Sequence, residues 1–293
     1  MNKTLQENIK EITSLPGLAK VKEEVKLMVA YLENIKERKE MGLNQAPDIS
    51  HHLIFTGNPG TGKTTVARIL AKIFRELGII SGGKLIEITR SDLVVAEKGQ
   101  TASKASDKFN SAINNVLFID EAYTLINLQD PDDNGQEAID ELIKYMEDYR
   151  DRFIVIVAGY EKEMITFVNS NQGLKSRFKK NIVFENYNSL ELYQIFYKFC
   201  KDNQYLIQED ANVVLKECCK RVIEITGIKY SNARDIRRFF ESCIQFQAVR
   251  LAKLKNKNKI DLMMIKKSDL ENAIKNFNKT NRFNSLFISY AFK

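Results

Sequence analysis

Residues 53–65 read Leu-Ile-Phe-Thr-Gly-Asn-Pro-Gly-Thr-Gly-Lys-Thr-Thr, and no other stretch constrains the chain as tightly. Leu53, Ile54 and Phe55 suit a short buried strand, which Gly57 ends. Residues 57–64 satisfy the pattern GxxxxGK[ST] at every fixed position. Val66, Ile69, Leu70 and Ile73 then recur at the spacing of one apolar helix face. Strand, glycine loop and helix in that order is the context such a loop needs. A polyphosphate sits best against unpaired N–H groups at a helix N-terminus, where the helix dipole also favours anions. Glycines permit positive φ and keep side chains out of the way. Lys63 would bring a mobile positive charge and Thr64 a hydroxyl for Mg²⁺. Asn58, Pro59, Gly60, Thr61, Gly62, Lys63, Thr64 and Thr65 are therefore the expected phosphate-binding residues.

Around this loop, apolar runs alternate with helical patterns. Strand-like segments lie at 84–88, 115–121, 153–159 and 182–184, and helical ones at 101–114 and 136–148. Such alternation predicts a P-loop NTPase α/β domain, a parallel sheet flanked by helices. Ahead of the loop, residues 4–14 read as a helix, Leu15-Pro16-Gly17 as a break, and 18–41 as a long amphipathic helix. The alternation stops near Asn186. Segments 189–203, 209–226, 232–255 and 268–276 then read as four helices, the last with Ser268 and Glu271 as a capping box. The expected organisation is N-terminal helices and linker over 1–50, a nucleotide domain over 51–186, a small all-helical lid over 187–276, and an unassigned tail over 277–293.

Composition narrows the function classes. The net charge of +7 could suit a nucleic-acid partner, but Lys and Arg are interleaved with Asp and Glu along the chain, as on a solvated surface. Cys200, Cys218, Cys219 and Cys243 lack CxxC spacing, and His51 and His52 lie far from them, so neither a zinc site nor a disulfide framework is expected. No run of 18 apolar residues and no apolar leader at the N-terminus is present, so the expected location is the cytoplasm, with no membrane partner.

Asp120 and Glu121 close the apolar run 115–119. At the carboxyl edge of a parallel sheet, one carboxylate can hold Mg²⁺ and a second can act as general base on the attacking water. Phosphoryl transfer also needs positive charge near the γ-phosphate. Arg177, in the run 173–180, and Arg234, in Asn232-Ala233-Arg234, can supply it; by itself Arg177 reads as part of a solvated basic face and Arg234 as an exposed or salt-bridged arginine.

Taken together, these segments resemble the AAA+ ATPases of the CbbX/CfxQ group. The resemblance rests on residues 15–42, 57–65, 116–123, 135–139, 158–160, 173–178 and 232–234, and extends over about residues 12–270. It implies ATP and Mg²⁺ as ligands, Lys63 and Thr64 as Walker A, and Asp120 and Glu121 as Walker B. It also implies Tyr160 at the sensor 1 position, Arg177 as an arginine finger reaching a neighbour's site, and Arg234 as sensor 2. A homo-oligomeric ring, usually hexameric and open to a paralogue, would act on a protein client. The alternative is a nucleotide-gated scaffold or regulatory subunit.

One segment departs from the group. Residues 92–102 read Asp-Leu-Val-Val-Ala-Glu-Lys-Gly-Gln-Thr-Ala, where similar proteins carry Gly-Glu-Tyr-Val/Ile at 95–98. Val95, Ala96, Glu97 and Lys98 thus replace the aromatic grip expected of a pore loop. A stiff apolar face holds a client chain without sequence preference, and charged side chains offer none.

Overall fold

The computed structural model describes residues 3–43, 50–97, 99–126 and 133–291, with backbone alone over 282–291. Two compact units are present: residues 1–58 with 62–185, and residues 186–293 together with Pro59–Thr61.

The first unit runs α1 (Lys3–Thr13), α2 (Ala19–Glu40), β1 (Leu53–Gly57), α3 (Lys63–Glu76), β2 (Leu85–Ile88), α4 (Arg90–Leu93), α5 (Thr101–Ala112) and β3 (Val116–Ile119). After a 3₁₀ turn at Ala122–Leu125 come α6 (Gly135–Asp148), β4 (Ile154–Gly159), α7 (Glu161–Asn169), α8 (Gln172–Arg177) and β5 (Lys180–Phe184). All five strands are parallel, in the order β2-β3-β4-β1-β5. Alternate residues face opposite sides. Ile54, Ile88, Leu117, Ile119, Val155 and Val157 join one core with Phe109 of α5, Leu142 of α6 and Phe167 of α7. The intervening residues Phe55, Phe118, Ile154 and Ile156 are equally buried, and α3 packs against β2 and β3.

The edge strand β5 is a place where unpaired backbone invites aggregation. Here α2 packs on it. Lys180 pairs with Glu24 at 2.9 Å and Lys20 with Glu185 at 2.5 Å. Helices α4, α7 and α8, and the 3₁₀ turn, were not expected from periodicity. Each is short, so few apolar residues repeat within it, and α4 is begun by the Asp92 carboxylate, which accepts the Thr89 N–H at 2.9 Å.

The second unit holds α9 (Ser189–Asp202), β6 (Leu206–Ile207), α10 (Ala211–Thr226), α11 (Ala233–Ala252), α12 (Lys259–Met263), β7 (Met264–Ile265) and α13 (Lys267–Ala291). Asn188 caps α9, accepting the N–H groups of Leu190 and Glu191, while Glu191 returns a bond to the Asn188 N–H. The cap of α13 is not Ser268 with Glu271, because Ser268 already lies inside the helix. The buried Asp269 accepts the Lys266 N–H and pairs with Arg250. The helix continues without a break past 276. All four cysteines are in this unit, free and buried, and burial pushes the thiols of Cys200 and Cys218 up to about 12, which leaves them unreactive. Among the described residues, no helix is long and apolar enough to cross a membrane.

His52, just before β1, is buried with Phe178 and accepts the Val155 N–H through Nδ1 at 3.1 Å. Burial, then the charges of His51 and Arg177, lowers its pKa from 6.5 to about 3. The unfolded chain therefore takes up a proton before the folded one does. The stability it supports is complete above pH 6.5 and is lost as pH falls toward 3. Between pH 7.5 and pH 5 the wild type should lose about 2 kcal/mol more stability than His52→Asn, read by denaturant melts at each pH.

Candidate active site

The site is assembled at the carboxyl edge of the sheet. In the ladders, Thr56 faces Gly159 and Ile119 faces Val157. The glycine loop after β1, Asp120 and Glu121 after β3, and Tyr160 after β4 therefore leave the sheet at one edge, with β4 in the middle. Sequence-adjacent strands do not produce this; the β1–β4–β3 order does.

The loop conformation follows from its glycines. Gly57, Gly60 and Gly62 have φ of 149°, 73° and 96°. A Cβ at Gly57 would lie 2.3 Å from the Phe184 carbonyl oxygen, so no other residue fits. Gly62 precedes Lys63, the first residue of α3. The Lys63 ammonium donates to the carbonyls of Gly57 at 2.7 Å and Asn58 at 2.9 Å, which holds it over the mouth of its own loop. Thr61 is wholly buried, Thr64 is half-buried, and Asn58 and Thr65 are exposed.

Glu121 adopts the left-handed conformation at φ 51°, ψ 43°, unusual for a residue with a side chain. Such strain persists only where surroundings enforce it. The Glu121 carbonyl accepts both the N–H of Thr124 at 2.8 Å and its hydroxyl at 2.7 Å. The result is an exposed Glu121 carboxylate beside a half-buried Asp120. Thr64 and Asp120 offer a hydroxyl and a carboxylate, hard oxygen donors of the kind that bind Mg²⁺ when phosphates complete its shell. Among the described residues, no group of three or more His, Cys, Asp or Glu could hold an ion by itself.

Tyr160 packs against Tyr123, ring centroids 6.1 Å apart and the rings tilted by 45°. Burial, then the Glu121 charge, pushes the Tyr123 hydroxyl up to about 12, so it stays a neutral donor. This aromatic wall was invisible in the sequence, where Tyr123 had no partner.

Arg177 lies elsewhere. It ends α8, just before Lys180, which pairs with Leu53 at the start of β1. Its backbone carbonyl accepts the Ser50 hydroxyl at 2.6 Å. It is thus at the amino edge of the sheet, separated from the loop by the five residues of β1, about 16 Å at roughly 3.3 Å per residue. Its guanidinium pairs with Glu147 at 2.7 Å and donates to the Gly173 carbonyl at 3.2 Å. Glu147 was not singled out in the sequence. Arg234 is exposed at the start of α11, in the second unit, with its backbone against Gly60: a Cβ there would lie 3.0 Å from the Arg234 nitrogen.

Glu97 is exposed and bonded to the Gln100 amide, while Lys98 lies outside the described residues. The segment before it is tethered. Asn134 donates to the carbonyls of Val95 at 2.8 Å and Ala96 at 3.2 Å, and Arg90 joins Asp133 to the Thr124 carbonyl. These residues, with Asp120 and Glu121, line a cavity of about 720 Å³. Hydrogen bonding to Arg90 holds the Asp133 carboxyl below its ordinary pKa despite its burial.

Comparison with known proteins agrees with this architecture. Residues 53–186 match the ATPase family associated with various cellular activities (AAA), and residues 188–280 match the AAA lid domain. The chain is 41% identical over 267 residues to stage V sporulation protein K of Bacillus subtilis (strain 168), spanning 91% of this chain and 82% of that one. It is 40% identical over 239 residues to protein CfxQ of Xanthobacter flavus, spanning 81% and 74%. The crystal structure of the FIGL-1 AAA domain shares the fold, with a TM-score of 0.61 at 18% identity over 94% of this chain and 89% of that one. The chain belongs to the AAA+ ATPases, in the CfxQ-like group.

The Tyr123 wall is tested at Gly159. A Cβ there would meet the Tyr123 ring at 2.7 Å and the Met164 sulfur at 2.8 Å. Gly159→Ala should lower stability by about 1–3 kcal/mol in denaturant melts and alter the near-UV tyrosine signal. An unchanged melt and spectrum would mean that the ring does not pack on this edge.

Proposed function

We propose that this protein is a Mg²⁺-dependent, cytoplasmic ATPase that works as a ring and uses hydrolysis to remodel or regulate a protein partner. The opposed placement of Arg177 and the glycine loop carries this reading. A finger at the amino edge of the sheet cannot serve a loop at the carboxyl edge of the same sheet. Arg177 can complete only a neighbour's site, which makes assembly a condition of turnover. Six subunits are the expected ring, as the CfxQ-like resemblance implies.

In this reading the loop N–H groups and Lys63 hold the β- and γ-phosphates. Thr64 and Asp120 would hold Mg²⁺, which when bound neutralises phosphate charge. Glu121 accepts the proton of the attacking water. Tyr160 senses the γ-phosphate from β4, and Arg234 from the helical unit. A second reading, a nucleotide-gated scaffold that pulls no client, is favoured by exposed Glu97 at the pore-loop position. The relatives' names point to sporulation in one case and leave this chain's partner unassigned.

Glu121→Gln should bind ATP normally and lose turnover by about a hundredfold or more, since the amide cannot accept the proton. Lys63→Ala should lose binding. Wild-type turnover in Glu121→Gln would remove Glu121 as the base. Specific activity should rise with protein concentration, and doping Arg177→Ala subunits into wild-type rings should depress it by more than dilution. Concentration-independent activity of a monomer would refute the trans finger. Glu97→Tyr should raise ATPase stimulation by an unfolded model polypeptide if this loop faces a client, and leave it flat if the protein is a scaffold.

A further inference from the structure

The tip of the glycine loop, Pro59–Thr61, belongs to the helical unit, and each of its three carbonyls has a named donor there. Asn232 Nδ2 donates to the Pro59 carbonyl at 3.2 Å. The Ala233 N–H donates to the Gly60 carbonyl at 3.1 Å. The Tyr187 hydroxyl donates to the Thr61 carbonyl at 3.0 Å. In a planar trans peptide, the carbonyl of one residue and the N–H of the next point in opposite directions. Fixing these three carbonyls therefore fixes the N–H groups of Gly60, Thr61 and Gly62, the successive donors from which an anion-binding nest is made.

Two of the three donors are side chains held rigidly. Asn232 is fully buried, at φ 56° and ψ −124°, a backbone region that favours glycine. An asparagine there needs a reason beyond backbone fit, and its side chain supplies one. Oδ1 accepts the Tyr187 N–H at 2.8 Å, and Nδ2 is shared between Pro59 and Asn186 Oδ1 at 3.0 Å. Tyr187 is buried and is itself held by the Tyr230 hydroxyl, which donates to its carbonyl at 2.8 Å. Asn232, Tyr187 and Tyr230 thus form one connected set ending on the loop. Gly60 leaves no slack in it, since a Cβ would lie 2.2 Å from the Ser231 carbonyl oxygen.

We infer that Asn232 and Tyr187 are positioning residues for the phosphate loop: they tie down the carbonyls of Pro59 and Thr61 and so set the direction of the N–H groups that receive the β-phosphate. This rests on the nucleotide reading above and adds to it residues that touch neither the ligand nor the reacting atoms. Both ATP and ADP carry the phosphate concerned, so both should depend on the set.

The test is calorimetric titration of the full chain with ATP and with ADP, in Mg²⁺ and well below each melting temperature. Asn232→Gly keeps the permitted backbone and removes the side-chain bonds, and Tyr187→Phe removes a single hydroxyl. Each should weaken both nucleotides by about tenfold. In steady state, KM should rise while kcat at saturating ATP stays within about twofold, the mark of lost uniform binding. A merely structural role predicts instead that Asn232→Gly, relieved of its backbone strain, binds as the wild type does. If Asn232→Gly fails to fold, Tyr187→Phe decides alone. Unchanged affinities in the folded variants beside a wild type that binds would overturn this inference alone. A wild type that binds neither nucleotide would overturn the nucleotide reading, and this inference with it.

Discussion

A loop that turns its N–H groups toward an anion must turn its carbonyls elsewhere, and buried carbonyls need donors. That constraint organises this protein. The glycines at 57, 60 and 62 make the turn possible, but they do not choose its direction. Direction comes from Asn232, Ala233 and Tyr187, which occupy the carbonyls of the loop tip. Residues far along the chain, Tyr187 and Asn232, therefore hold the tip of the loop.

The second organising fact is the direction of the sheet. All five strands run the same way, so every loop after a strand emerges at one edge and every loop before a strand at the other. Lys63, Asp120, Glu121 and Tyr160 share the first edge because each follows a parallel strand, and they lie side by side because β4 lies between β1 and β3. Arg177 falls at the second because it precedes β5. Within one chain its charge is taken up by Glu147. A parallel sheet thus keeps Arg177 and the glycine loop at opposite edges of one chain.

The tether from Asn134 and Arg90 has the same economy. Asn134, at the N-cap position of α6, donates to the carbonyls of Val95 and Ala96, and the turn after β3 accepts from Arg90 of α4. The connection depends on backbone carbonyls of Val95, Ala96 and Thr124, so side-chain identity at those positions matters less than their backbone path.

Local chemistry made much of this legible in the sequence. The run 53–65 announced strand, loop and helix because glycine placement and apolar spacing are local signals, and Asp120 and Glu121 stood out at the end of an apolar strand. The lid helices were readable from periodicity, whereas the Asn188–Glu191 cap of α9 emerged only from the structure. Short helices α4, α7, α8 and α12 were not, since they contain too few residues for a period to show. The tail beyond Phe277 read as unassignable, yet its backbone continues α13. What the sequence alone determined was the set of chemically able residues and the parallel α/β class, because both depend on residue type and spacing. Only the tertiary structure decided strand order, the edge on which Arg177 falls, the Tyr123–Tyr160 wall and the hold of Asn232 and Tyr187 on the loop. Those depend on which distant backbone groups meet, and a hydrogen bond between residues 61 and 187 leaves no periodic trace in the chain that makes it.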